Sequence, residues 1–326
     1  MGGYNHRGSS GSDGYSSTIL FPASPGCTPP SMPPTAGGLD PFTFTHAGSL
    51  VTCGGYVDSA QQKTCLVLKA NGWEPDYGRF PDFPDAYGRS GGTVVSVAEG
   101  TIVIGGESWG GSKSLVLRHG ASSWEEGPVM ERSDCSVAWG GAVFGISENR
   151  LWKLNTTTWQ MDEEAKLPQL PPLAPVPQGQ WMIKDPDSKP RSQQGCAVIN
   201  NHLVVAGGNQ QTHACKESGY PCGYVTYVLD STFSLDLSQG SAATWMEGGS
   251  LGEARNTHSM VTVMAGGKEK LYALGGWNKD YDYNYLDSLE VWREETRTWE
   301  QVEERLPEGR QRMGAVALNK AAVCPP

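Results

Sequence analysis

The residues of this 326-residue sequence best equipped for chemistry are eight cysteines: Cys27, Cys53, Cys65, Cys135, Cys196, Cys215, Cys222 and Cys324. Their number is even and no C-x-x-C occurs. Disulfides in an oxidising compartment are therefore expected, with free cytosolic thiols as the alternative. The six histidines, His6, His46, His119, His202, His213 and His258, also lack metal-type spacing. Neither a metal nor another cofactor is expected. Gly248-Gly249-Ser250-Leu251-Gly252 matches G-x-S-x-G, but no helix pattern follows it, so the context of an activated serine is missing. No catalytic residue is assigned, and an interaction protein is expected rather than an enzyme.

Two further groups suit binding. Arg89, Arg132, Arg191, Arg255 and Arg310 each stand four positions before a small residue that opens an apolar run. Gathered together, they would attract an anion or carboxylate. Trp277, Tyr281, Tyr283 and Tyr285 are interleaved with Asp280, Asp282 and Asp287, and Trp181 lies in a proline-rich stretch. Aromatic and carboxylate groups together suit a protein hot spot or sugar stacking. The aspartate spacing does not match an EF-hand.

Composition narrows the partners. The net charge is −10 and there is no lysine/arginine run, so nucleic acid is not expected. No apolar stretch reaches the roughly 18–20 residues needed to span a membrane. The opening MGGYNHRGSSGSDGYSS lacks the apolar core of a secretory signal. The expectation of an extracellular location therefore rests on the cysteines, with weak support from the sequon Asn155-Thr156-Thr157.

The elements that position these residues show as an internal repeat. The apolar strands Leu50–Cys53, Thr101–Ile104, Leu203–Ala206 and Leu271–Leu274 each run into a glycine pair, and Trp73, Trp124, Trp245 and Trp299 follow. A fifth, degenerate copy keeps Gly145 at the glycine-pair position and Trp159. With the arginine-marked strands, each unit reads as four antiparallel strands over about 50 residues. One such sheet cannot bury both faces, so copies must stack radially.

The segment LYALGGWNKDYDYNYLDSLEVWREETRTWEQV resembles a standard Kelch motif: apolar strand, glycine pair, Trp292, six residues, Trp299. Trp152 and Trp159 keep the same spacing. The resemblance implies an all-β, six-bladed Kelch β-propeller over residues 17–326, following a flexible tail at 1–16. GAVALNKAAVCPP would supply two strands of the last blade and STILFPASPGCTPP the other two. It also implies a scaffold role for the arginines, tying backbone carbonyls between blades. Within this fold, Cys27–Cys324 would staple the ring, Cys53–Cys65 would join adjacent strands, and Cys215–Cys222 would lie in one loop. Cys135–Cys196 would link neighbouring blades.

In such a ring, the long connections 76–88, 162–190, 209–227 and 277–287 share one face with the arginines. That face is expected to hold the binding site. The reading is a secreted, monomeric module for a protein or glycan. Sialic-acid mutarotases resemble the chain in size and fold, so a small-molecule enzyme of that kind is one alternative. An intracellular interaction propeller is the other.

Overall fold

A computed structural model describes residues 4–5, 13–14, 29–33, 40–57, 60–84, 88–106, 113–130, 133–162, 165–172, 181–183, 190–216, 223–278 and 285–318. Among these residues the fold is an all-β propeller of five four-stranded antiparallel blades. Blade one is Phe42–His46, Ser49–Cys53, Cys65–Lys69 and Gly72–Glu74. Blade two is Thr93–Val97, Gly100–Ile104, Lys113–Arg118 and Glu125–Val129. Blade three is Cys135–Trp139, Ala142–Ser147, Arg150–Asn155 and Gln160–Met161. Blade four is Gly195–Ile199, His202–Ala206, Thr232–Asp236 and Met246–Gly248. Blade five is Ser259–Ala265, Lys268–Leu274, Leu289–Arg293 and Thr298–Gln301.

The second strand of most blades is an almost unbroken apolar run, because the blades stack face to face and cover one another. The core therefore lies between blades. Val95, Ile102, Ile104 and Val116 of blade two meet Val143, Leu154 and Trp159 of blade three. Ala197, Val204 and Ala206 of blade four meet Leu271, Ala273, Trp292 and Trp299 of blade five. Tryptophan indoles fasten the connections that enter a blade. Trp124 Nε1 donates to Pro81 O at 2.8 Å, and Trp245 Nε1 donates to Pro168 O at 3.1 Å. Trp73 Nε1 makes the corresponding bond to Pro30 O at 3.2 Å.

The glycine pairs are a packing requirement. Gly54, Gly207 and Gly275 have positive φ, and a Cβ on any of them would overlap the carbonyl oxygen of the next blade's arginine, Arg89, Arg255 or Arg310. The second glycine of each pair then donates its N–H to that carbonyl: Gly55 to Arg89, Gly208 to Arg255 and Gly276 to Arg310, at 2.7–2.8 Å.

Three expectations are corrected. The described blades number five rather than six. Residues 314–318, expected as an inner strand, form no ladder and instead act through side chains. Ala315 packs on a cluster that includes Leu274 and Leu289 of blade five, and Val316 and Leu318 pack on Leu50, Leu66 and Trp73 of blade one. The remaining expected strands, with Cys27 and Cys324, lie outside the described residues. Second, Gly145 sits inside its strand opposite Trp152, because a Cβ there would enter the indole; the strand runs on to Ser147. Third, two long connections are partly sheet: Trp181–Ile183, Asn209–Lys216 and Gly223–Val228 pair as three antiparallel strands.

Cys53 is bonded to Cys65, its direct cross-strand partner, with Cα atoms 4.0 Å apart. Cys135 is bonded to Cys196, joining the inner strands of blades three and four with Cα atoms 5.9 Å apart. Among the described residues no cysteine is free.

Candidate functional site

The marker arginines do not face solvent. Arg89, Arg191 and Arg255 are fully buried, and Arg310 is 1% exposed. The side chains of Arg89, Arg191 and Arg255 bond within the blade each precedes, while the backbone carbonyls of Arg89, Arg255 and Arg310 hold the blade before. Arg89 Nη1 donates to Gly105 O (3.1 Å) and Lys113 O (2.8 Å). Arg191 donates to the Gly207 and Ser231 carbonyls and to Ser231 Oγ. Arg255 Nη1 donates to Gly275 O (2.8 Å) and Ser288 O (3.2 Å), while Nη2 meets Glu290 Oε1 at 2.6 Å. Arg310 pairs with Glu308. Burial lowers the Arg191 pKa to about 10, opposed by Asp230. These guanidiniums lie beneath the channel mouth and bind backbone, which is the scaffold geometry. Arg132 lies outside the described residues.

The residues that reach the mouth are those just after each arginine. The second residue after each marker, Gly91, Asp134, Gln193, Thr257 and Arg312, lines one cavity, joined by Asp40 two places before blade one's inner strand. Five of these six backbones are left-handed: Asp40 (φ 51°), Gly91 (73°), Gln193 (56°), Thr257 (48°) and Arg312 (51°). For a β-branched threonine this conformation is strained.

Hydrogen bonds hand the ring on from blade to blade. Gly91 N donates to Asp40 O (3.3 Å), Thr257 N to Gln193 O (3.0 Å) and Arg312 N to Thr257 O (2.8 Å). Gln193 N reaches Asp134 Oδ1 at 3.4 Å. Arg312 Nη1 closes on Asp40 Oδ2 at 2.8 Å, across 272 residues of sequence.

The ring encloses a cavity of about 190 Å3. Gln194 and His258 line it, at 3% and 7% exposure, and neither amide atom of Gln194 nor either ring nitrogen of His258 has a partner among the described atoms. Burial, and then the charges of Arg255 and Arg191, lower the His258 pKa to about 3, so its imidazole is neutral. Unpartnered buried polar groups facing a cavity are what a ligand or ordered water satisfies.

Of the aromatic group, Trp277 and Tyr285 are half-buried and bridge backbone to backbone. Trp277 also pairs with Asn256, one residue before Thr257, which places both beside the mouth. Tyr281 and Tyr283 lie outside the described residues. Trp181 is placed only by its backbone, paired with Lys216. Asn155 is exposed on the opposite, short-turn face, its Oδ1 accepting from Thr157 N and Thr158 N. Cys215 lies in the added sheet opposite Met182, and its expected partner Cys222 lies outside the described residues.

Sequence reasoning passed over Asp40, Asp134, Gln193, Gln194, Thr257 and Arg312, and weighed His258 only to set it aside as a metal ligand. The available signal was their fixed offset from the arginines. Among the described residues no group of three histidine, cysteine or carboxylate side chains gathers where it could hold a metal ion, and no helix is long and apolar enough to cross a membrane.

Residues 262–304, most of blade five, match the family of the Kelch motif. The chain is a Kelch-repeat β-propeller. No curated protein is significantly similar to it. Kelch β-propellers commonly serve as protein-interaction modules, and in this one the buried, unpartnered side chains of Gln194 and His258 line the mouth cavity.

Proposed function

We propose that this Kelch propeller is an extracellular binding module that engages a protein partner on the long-connection face, centred on the channel mouth. The observation that carries this is the convergence of Asp40, Asp134, Gln193, Thr257 and Arg312 around unpartnered Gln194 and His258. A rigid ring presenting strained backbone and unmet hydrogen bonds at one opening is a binding geometry. Half-buried Trp277 and Tyr285 supply aromatic area beside it. The paired cysteines support an oxidising compartment. A glycan on the same aromatic rim is the second form of this reading.

A photo-crosslinking residue placed at Gln193, compared with one at Thr157 on the opposite face, tests it. Partner capture from Gln193 and not from Thr157 is expected, and capture from Thr157 alone overturns it. A glycan array probed with the protein and with Trp277→Ala separates sugar from protein. Native mass spectrometry with and without reductant reads the thiol state. Fully reduced cysteines in the native protein would sink the extracellular assignment.

A further inference from the structure

The mouth invites an anion if the arginines are counted and a cation if the aspartates are, but its floor carries neither charge. Gln194 lies 3% exposed with both Nε2 and Oε1 unpartnered among the described atoms. Gly208 packs closely against its Cα and Cβ, which fixes the stem of the side chain. His258 is held the same way, wedged over Gly195, Gly207 and Gly276. It is neutral, so it offers one donor and one acceptor.

A primary amide holds a donor and an acceptor side by side. A ligand that satisfies both at once must present an acceptor and a donor in the same spacing. A carboxylate would satisfy Nε2 and set an oxygen against Oε1; an ammonium would do the reverse. Either way one buried polar atom stays unpaired, which weakens binding by about tenfold or more. The rim does not override this choice, since Asp40 is already paired with Arg312 and Asp134 receives the Gln193 N–H. Gly91 and Gly92 contribute no side chain, so the ring is open on the blade-two side. A cavity of about 190 Å3 admits one side chain rather than a folded element.

We propose that the mouth receives one primary carboxamide, an asparagine or glutamine side chain of the protein partner, in a reciprocal pair of hydrogen bonds with Gln194. This rests on the binding role proposed above and adds the chemistry of what enters.

The test follows the Gln194 side-chain amide by NMR in the intact chain, titrated with Ac-Gly-Gln-Gly-NHMe and with its Glu and Lys counterparts. N-acetylglucosamine serves as a sugar probe. The glutamine peptide is expected to shift the Gln194 signal and to bind about tenfold or more tighter than the charged peptides. Q194L should abolish the preference without lowering Tm. Q194E, which keeps the shape and loses the donor, should weaken the glutamine peptide and improve the lysine peptide.

Equal binding of the Glu or Lys peptide overturns the proposal, as does a stronger response to the sugar or no response to any peptide. A partner crosslinked from Gln193 whose affinity survives Q194L leaves the binding role standing and removes the carboxamide pair.

Discussion

His258 shows how a single side chain sets a pH limit on this ring. Its folded pKa is lowered to about 3, and that of His46, buried beside His119 and Arg79, to about 4. In the unfolded chain a histidine takes up its proton near pH 6.5. Between those values the unfolded state binds more protons, so stability is fully present above about pH 6.5 and declines as pH falls toward the folded values. Tm measured from about pH 7 to pH 4 should therefore drop, and His258→Met should flatten part of the slope. An unchanged slope in that variant would remove His258 from the account. Arg191 acts at the same scale without titrating. Arg191→Met leaves the Gly207 and Ser231 carbonyls short of their donor, and chemical denaturation should register a loss of roughly 2–4 kcal/mol.

At the scale of the element, the glycine pairs separate two costs that are usually confounded. Gly207 and Gly266 share φ +62°, but a Cβ on Gly207 would overlap the Arg255 carbonyl while Gly266 has nothing within 4 Å. Gly266→Ala should cost about 1 kcal/mol, the price of the backbone conformation alone. Gly207→Ala should cost about 3 kcal/mol or more, because blades four and five must part. Equal losses in denaturant titration would mean that the carbonyl contact is unimportant.

This is also the scale at which the sequence was most readable. Glycine pair, tryptophan and marker arginine recur because the same contact is made in blade after blade, so the strands could be placed from spacing. The mouth was less readable because it depends on backbone handedness at the second residue after each arginine. Glycine, glutamine, threonine and arginine all occupy that offset, and residue type gives no common signal. The arginines misled for a related reason. Their charge is visible in the sequence, while the carbonyls that bury it are spread over Gly105, Lys113, Gly207, Ser231, Gly275 and Ser288.

For the whole molecule, the two disulfides differ in what they hold. Cys53–Cys65 spans 12 residues within one blade, whereas Cys135–Cys196 spans 61 and joins two blades. Chain-entropy reasoning gives about 3 kcal/mol for the first and about 4 kcal/mol for the second. Replacing Cys135 and Cys196 with serine should lower Tm more than replacing Cys53 and Cys65, and the reverse order would indicate that local strand pairing outweighs ring constraint.

The contact of Arg312 with Asp40, and of Val316 and Leu318 with Leu50, Leu66 and Trp73, has a consequence in time. On the ribosome, blade one is made first and these residues are made after all five blades. Throughout synthesis one flank of blade one waits without this cover. The nascent chain therefore carries an adhesive apolar edge for almost its entire production, and its yield in a cell depends on what shields that edge until the last turn of the ring arrives.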